Sequence, residues 1–165
     1  MPPLRDAGRR LLVVDDDPAI LELVCTRLTI AGHTVLNARN GHDALKRLGE
    51  RRYDGMVLDL NMPQPDGFAV LQRMKTLSHP SPPTLVLTAS HNAADVQRAI
   101  KLGARDYLSK PFDDRQLLMR VARLFRAPAD RRSLEEVFEA MDDLLVCRTP
   151  QVGRLSVGGR GGKGS

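Results

Sequence analysis

The stretch LLVVDDDP, residues 11–18, predicts a buried strand and the turn into a helix. The apolar run Leu11–Val14 is continuous, which is typical of a strand covered on both faces, as in a parallel sheet. Three aspartates follow it directly. Asp17 before Pro18 has the pattern of a helix N-cap followed by the first helical position. The stretch therefore predicts a strand, a short acidic loop and a helix, the beginning of an α/β fold.

The same alternation of strand and helix patterns continues through residue 126. The short β-type runs are Leu11–Val14, Thr34–Asn37, Met56–Asp59, Thr84–Leu87 and Asp106–Leu108. The segments between them place apolar residues three or four positions apart, as in amphipathic helices. Gly32 and Gly49 are expected to end the first two helices. Five strands alternating with five helices predict an α/β fold with a parallel sheet covered by helices on both faces.

The composition limits the classes of protein to which the chain can belong. Its 165 residues are 42% hydrophobic and 27% charged, which suits one globular domain with an appendage. No apolar run approaches the roughly 18 residues of a membrane-spanning helix, and no basic and apolar leader opens the chain. We therefore expect neither a membrane protein nor an exported one. Cys25 and Cys147 lack the spacing of a disulfide framework or a zinc site, so we interpret them as reduced thiols of a cytoplasmic protein.

The formal net charge of +5 does not by itself indicate a nucleic-acid partner. The excess comes from arginines scattered along the chain, such as Arg9, Arg10, Arg51 and Arg52, and not from a basic cluster on one element. We interpret these side chains as a solvated surface, and nucleic acid is not an expected partner.

The C-terminal segment has a different pattern. Ser133 followed by Glu136 has the spacing of a capping box, and an apolar stripe follows it. Residues 127–149 are interpreted as a linker with one short amphipathic helix. This helix could pair with a second copy, bind a partner helix or fold back onto the domain. The Gly- and Arg-rich residues 150–165 have no periodicity and are expected to be disordered.

Polar side chains lie at the carboxyl ends of four predicted strands. Asp15 and Asp16 follow the first strand, Asp59 ends the third, Thr88 follows the fourth and Lys110 lies just beyond the fifth. In open α/β sheets, ligands bind beyond these ends, where the strand order reverses. If the first and third strands are neighbours there, the three carboxylates converge. Mg²⁺ or Mn²⁺ is the natural cation for such hard oxygen ligands.

This arrangement also suits phosphoryl chemistry. Mg²⁺ is commonly shared between protein carboxylates and phosphate oxygens. An aspartate beside it can attack a phosphoryl group and form an acyl phosphate. The Lys110 ammonium and the Thr88 hydroxyl could then contact the remaining phosphoryl oxygens.

Four motifs in register resemble a known family. They are VVDDDP (13–18), DLNMPQPDG (59–67), LTAS (87–90) and DYLSKPF (106–112), and together they resemble the receiver domain of two-component response regulators. The resemblance covers about residues 9–126. It implies a flavodoxin-like, doubly wound sheet of five parallel strands in the order 2-1-3-4-5 with five helices, followed here by the short C-terminal helix.

The resemblance also implies roles for the polar residues. Asp59 matches the phosphoacceptor of the family. Asp15 and Asp16 match the acidic pair that holds Mg²⁺ together with Asp59, and the backbone carbonyl of Asn61 matches a further ligand.

The remaining motif positions match the family's switch. Thr88 and Lys110 match the residues that contact the phosphoryl group. Tyr107 matches the aromatic residue that turns inward when Thr88 moves toward the phosphate. The peptide bond between Lys110 and Pro111 is expected to be cis, as in the family.

The leading hypothesis from the resemblance is a phosphorylation-controlled switch. The donor would be a sensor histidine kinase or a histidine phosphotransfer protein. The chain would catalyse only its own phosphorylation and dephosphorylation, so it would not be a turnover enzyme. Phosphorylation would alter the face formed by the fourth helix, fifth strand and fifth helix, which could contact a downstream protein or form a homodimer.

Two alternatives stay open. The chain could be a truncated DNA-binding response regulator, although residues 127–165 are too few for a winged-helix output domain. It could instead be a phosphohydrolase of the haloacid dehalogenase type, in which Asp15 and Asp17 would form the D-x-D pair. The position of Asp17 before Pro18 argues against the second alternative, because that aspartate would have to face a substrate.

Overall fold

The structure is a computed structural model that describes residues 8–89 and 92–126. Within these residues the strands are β1 (Arg10–Val14), β2 (Thr34–Ala38), β3 (Gly55–Asp59), β4 (Thr84–Thr88) and β5 (Asp106–Ser109). The α-helices are α1 (Pro18–Ile30), α2 (Gly41–Glu50), α3 (Gly67–Arg73), α4 (Ala93–Lys101) and α5 (Asp114–Leu124), and a 3₁₀ turn at Met74–Thr76 follows α3. The expected linker helix at 127–149 and the expected tail at 150–165 lie outside the described residues.

The strands form one parallel sheet in the order β2-β1-β3-β4-β5. β3 is the central strand, with Val14 of β1 in register with Leu58 and Leu87 of β4 in register with Asp59. β2 and β5 are the outer strands. The predicted flavodoxin-like topology is therefore confirmed, and β1 and β3 are neighbours as the site hypothesis requires.

Helices cover both faces of the sheet because successive side chains of a strand point to opposite faces. On one face Leu12 and Met56 pack with residues of α2, α3 and α4, including Ala44, Leu71 and Ala99. On the other face the buried set combines strand and helix residues: Leu11, Val13, Val57, Leu85, Leu87, Leu21, Val24, Leu28, Leu117, Val121 and Leu124. Each fully buried side chain of this kind stabilises the fold by about 1.5–3 kcal/mol before the entropic cost is counted. The continuous apolar runs of the sequence are explained by this burial on two sides.

The α-helices begin at polar caps, of which the sequence predicts the first. The Asp17 side chain accepts hydrogen bonds from the backbone N–H groups of Ala19 and Ile20, which confirms Asp17 as the N-cap of α1. Asp113 caps α5 in a reciprocal capping box with Gln116. The expected end of α2 at Gly49 is wrong by one residue, because α2 continues through Glu50 and Gly49 is an exposed helical position.

None of the helices in the described part of the chain combines the length and the apolar character needed to cross a membrane.

Candidate functional site

The predicted site residues converge at the carboxyl edge of the sheet. Asp15 and Asp16 follow β1, Asp59 is the last residue of β3, Thr88 ends β4 and Lys110 follows β5. Because β3 lies between β1 and β4, the ends of these strands meet at one place. Asp15, Asp16 and Asp59 each offer one carboxylate oxygen, and these three atoms lie within 4.8 Å of one another.

Two of the three aspartates are buried. The exposed fraction is 0% for Asp15 and 2% for Asp59, whereas Asp16 is exposed. Asp15 Oδ1 accepts a hydrogen bond from the Asp17 backbone N–H at 2.9 Å. Asp59 Oδ1 accepts one from the Asn61 backbone N–H at 3.3 Å. Each buried carboxylate is thus held by a hydrogen bond from the backbone two residues further along the chain, while Asp16 is exposed to solvent.

Lys110 bridges the two buried carboxylates. Its Nζ lies 2.8 Å from Asp15 Oδ2 and 3.4 Å from Asp59 Oδ1. Its backbone N–H donates to the Thr88 carbonyl at 2.8 Å, which holds the residue at the end of the sheet. Burial alone would lower the pKa of Lys110, but the hydrogen bond to Asp15 and the charges of both aspartates outweigh it and raise the pKa. Lys110 therefore remains an ammonium group in the site.

The ammonium group does not neutralise the site. Burial, followed by the neighbouring charge of Asp15, raises the pKa of Asp59, although Lys110 and the Asn61 backbone N–H act in the opposite direction. With all groups ionised, three carboxylates face one cation, so two negative charges are left uncompensated. Hard carboxylate oxygens with this excess charge fit a divalent cation such as Mg²⁺. The donor set and its charge thus agree with the metal site expected from the sequence.

Thr88 and Tyr107 lie on adjacent strands beside this pocket. Thr88 is buried and pairs in register with Ser109, so Tyr107 lies two positions earlier along β5. Tyr107 is half-buried, and the guanidinium of Arg120 from α5 lies over its ring, 5.7 Å from the centroid. The structure therefore places the expected switch residue at the outer strand and next to α5.

Two glycines that sequence reasoning did not assign to the site support the loop after Asp59. A Cβ atom at Gly67 would lie 2.5 Å from the Asp59 carbonyl oxygen and 2.6 Å from Leu60 Cα, and one at Gly41 would overlap the Pro65 carbonyl oxygen. These close backbone contacts require glycine. The signals in the sequence were the capping residues just before each glycine, because Asp66 caps α3 and Asn40 caps α2.

The peptide bonds in the site region include the expected cis bond. Lys110–Pro111 is cis, as the resemblance implied, and Gln64–Pro65, which was not anticipated, is also cis.

Comparison with known protein families gives a match over most of the chain. Residues 11–122 match the family model described as "Response regulator receiver domain". The chain belongs to the response regulator receiver family. It is thus a receiver domain of the two-component systems, and its pocket of Asp15, Asp16 and Asp59 is compatible with Mg²⁺ and with phosphorylation.

Two similar proteins differ in how much of their own length the receiver matches. It is 40% identical over 118 residues to the DNA-binding dual master transcriptional regulator RpaA of Synechocystis, an alignment that covers 71% of this chain and 49% of RpaA. The chain spans about half the length of the curated relatives it matches. Among solved structures, the chemotaxis protein CheY4 of Vibrio cholerae matches with a TM-score of 0.68 and 32% identity, covering 72% of this chain and 100% of CheY4.

A third similar protein carries a modification. A response regulator from Burkholderia pseudomallei, solved with a phosphorylated aspartic acid, a calcium ion and citrate, matches the receiver with a TM-score of 0.67 and 25% identity. The match covers 86% of this chain and 83% of the Burkholderia chain.

Proposed function

We propose that the receiver accepts a phosphoryl group on Asp59. The observation that supports this most strongly is the position of Asp59 at the end of the central strand. Asp59 is buried beside Asp15, and Lys110 bridges the two carboxylates. An ordinary structural aspartate would not be buried beside a second buried carboxylate and close to a third, because their repulsion is costly. The aspartyl phosphorylation reported for the Burkholderia regulator is consistent with this assignment.

The transfer is a displacement at phosphorus. A carboxylate oxygen of Asp59 forms a bond to the phosphorus of a phosphohistidine on the donor protein, while the phosphorus–nitrogen bond breaks and the histidine nitrogen leaves with the electron pair and takes a proton. The product is an acyl phosphate. Lys110 and Thr88 are proposed to contact the phosphoryl oxygens, Lys110 through charge and Thr88 through its hydroxyl.

We further propose that Asp15, Asp16 and Asp59, with the backbone carbonyl of Asn61, hold Mg²⁺, for which Mn²⁺ could substitute. When bound, this ion neutralises charge on the phosphoryl oxygens. The carboxylates of this chain supply the excess negative charge that makes the ion favourable, and the exposed Asp16 leaves the pocket open for its entry.

The role proposed for the phosphorylated receiver is that of a switch in the cytoplasm. Thr88 and Tyr107 would alter the face formed by α4, β5 and α5, which would contact a downstream protein or a second copy of the chain. The donor would be a sensor histidine kinase or a histidine phosphotransfer protein, as expected for this family. The chain would catalyse only its own phosphorylation and dephosphorylation.

Labelling with a small phosphoryl donor tests the proposal. Incubation with Mg²⁺ and acetyl phosphate is expected to give an acid-stable, base-labile adduct on one residue. Asp59→Asn should abolish the adduct, whereas Asp17→Asn should retain it because asparagine also caps a helix. Full labelling of Asp59→Asn would contradict the assignment.

A second candidate function follows from the relatives. RpaA is a DNA-binding regulator and this chain spans about half its length, so the receiver could serve in a DNA-binding regulator. Binding of the chain to duplex DNA that weakens steeply with added salt would favour this candidate. Weak binding that does not change with salt would give the candidate no support.

The dehalogenase-type alternative fits the structure poorly. The Asp17 carboxylate accepts hydrogen bonds from the backbone of Ala19 and Ile20, so it is engaged as a helix cap. Turnover of a small phosphomonoester that survives Asp59→Asn would support that alternative.

A further inference from the structure

Arg120 contacts two consecutive residues of β5. Its Nη1 donates to Asp106 Oδ1 at 2.8 Å, and its guanidinium carbon lies 5.7 Å from the centroid of the Tyr107 ring. Successive side chains of a strand point to opposite faces of the sheet. One guanidinium that reaches both residues must therefore lie at the edge of the sheet, and β5 supplies that edge because it is an outer strand.

Asp106 fixes the position of this guanidinium. Its exposed fraction is 2%, and a buried carboxylate needs partners to offset the loss of its hydration. Oδ1 accepts from Arg120 and from the Tyr107 backbone N–H, each at 2.8 Å. Oδ2 has Arg123 Nε at 3.7 Å and makes no hydrogen bond within the part of the chain that the structure describes. Among the described residues, Arg120 is thus the closest counter-charge of Asp106, and Asp106 holds it where it also meets the aromatic ring.

A cation beside an aromatic ring stabilises the arrangement in which the two are in contact. For Tyr107 that arrangement is the half-buried one, in which the ring packs against the core on the α2–α4 face of the outer strand and the Arg120 guanidinium reaches it from α5. Any movement of the ring inward, toward the end of β4, would break the contact with Arg120. The free energy of that contact is therefore part of the balance between the two positions of the ring.

We propose that Arg120 is a positioning residue for Tyr107: held by Asp106, it keeps the ring at the edge of β5 and sets how readily the ring turns inward on phosphorylation. This inference rests on the proposed switch role of Tyr107. A cation–π contact at a partly exposed site shifts such an equilibrium by about two- to fivefold. Loss of Arg120 therefore favours the inward ring even before Asp59 is modified.

The composition of the chain offers a direct reporter. The sequence has no tryptophan and two tyrosines, so Tyr53→Phe leaves Tyr107 as the only tyrosine. The Tyr53 hydroxyl is buried and has no hydrogen-bond partner among the described residues, so its removal leaves no partner unsatisfied. In this reference variant, quenching of tyrosine fluorescence by acrylamide measures the exposure of Tyr107. Acrylamide is uncharged, so removal of an arginine does not alter its local concentration electrostatically.

The test compares three further variants in the Tyr53→Phe background, with and without Mg²⁺ and beryllofluoride. Arg120→Met removes the charge but keeps a side chain that can cover the ring, so it should raise the ratio of inward to outward ring about two- to fivefold before activation, and quenching should fall accordingly. Arg120→Lys keeps a cation and should restore part of the quenching. Arg123→Met is the matched control, because it removes an arginine from the same helix and the same carboxylate and should match the reference.

The outcomes separate this inference from the proposed function. If beryllofluoride leaves the quenching of the reference variant unchanged, the switch role of Tyr107 is wrong. If beryllofluoride changes the reference but neither Arg120→Met nor Arg123→Met differs from it before activation, Arg120 does not position the ring. Equal changes in both arginine variants would instead report a general loosening of α5 and would overturn the inference in the same way.

Discussion

At the scale of single residues, the site is a balance of charges around Asp59. Its carboxylate shares a buried pocket with Asp15, and Lys110 offsets only part of the negative charge. In EDTA, Asp59→Asn is expected to raise the free energy of unfolding, because it removes one of the repelling charges and leaves the Lys110–Asp15 pair in place. Added Mg²⁺ should stabilise the unmodified chain more than this variant, which lacks one ligand.

Urea unfolding of the two proteins with EDTA and with Mg²⁺ checks this expectation. Asp17→Asn serves as the control, since it also removes one aspartate charge but lies at the exposed cap of α1. An Asp59→Asn variant that is less stable than the unmodified chain in EDTA would show that the pocket does not store this repulsion.

A second residue-scale expectation concerns Cys25 on α1. The thiol is half-buried, and burial raises its pKa. Because the thiolate is the reactive form, Cys25 in a Cys147→Ser variant should react slowly with a disulfide reagent near neutral pH. The rate should rise about tenfold per pH unit toward the raised pKa, in proportion to the thiolate fraction. Equal rates for the folded and the urea-unfolded chain at pH 7 would contradict the expectation.

The residues of the candidate site could be predicted from the sequence because each is a polar side chain at the carboxyl end of an apolar strand. Asp15, Asp59 and Thr88 are examples. The pairing of Lys110 with both buried carboxylates could not be predicted, because it depends on the reach of a long side chain across two strands. The contact of Arg120 with Tyr107 could not be predicted for the same reason, because the helical spacing identifies Arg120 only as a polar position of α5.

At the scale of secondary structure elements, the start of α3 lies directly against the end of β3, where Asp59 is the last residue. Gly67→Ala is expected to lower the free energy of unfolding by about 1–3 kcal/mol, because the new Cβ would meet backbone atoms of Asp59 and Leu60 that cannot move aside cheaply. The same displacement should slow labelling by acetyl phosphate.

Gly49→Ala is the matched control for this glycine. Gly49 lies within α2, and an added Cβ meets nothing within 4 Å, so alanine should stabilise the chain by up to about 1 kcal/mol. Thermal unfolding and labelling of both variants measure the difference. A Gly67→Ala protein as stable as Gly49→Ala would show that the loop tolerates displacement.

Element boundaries followed the sequence closely where a cap or a turn residue marks them, as at Asp17 and Gly32. The predicted boundaries were less accurate where tertiary contacts determine the end of an element. Gly55 begins β3 because it packs tightly beneath Leu11 and Phe125, and no local pattern reveals such a contact. The register of the strands likewise arises from the assembled sheet.

At the scale of the whole molecule, the candidate site and both core clusters lie between residues 11 and 124. Deletion of residues 127–165 is therefore expected to leave Mg²⁺-dependent labelling of Asp59 unchanged within about twofold. Labelling and thermal unfolding of the shortened chain test this. Loss of a cooperative unfolding transition would show that the deleted segment contributes to the core.

The tight fit of Gly41 and Gly67 around the acceptor loop has a practical consequence for biosensor engineering. A bulky group attached at either glycine would separate that helix start from the backbone after Asp59, with which it is in contact. Asn61 follows Asp59 by two residues and takes part in the site only through its backbone, while its side chain is exposed, so a dye on that side chain would lie near Asp59 without forcing these segments apart. Such a conjugate would report the arrival and departure of the phosphoryl group as a change in colour or brightness.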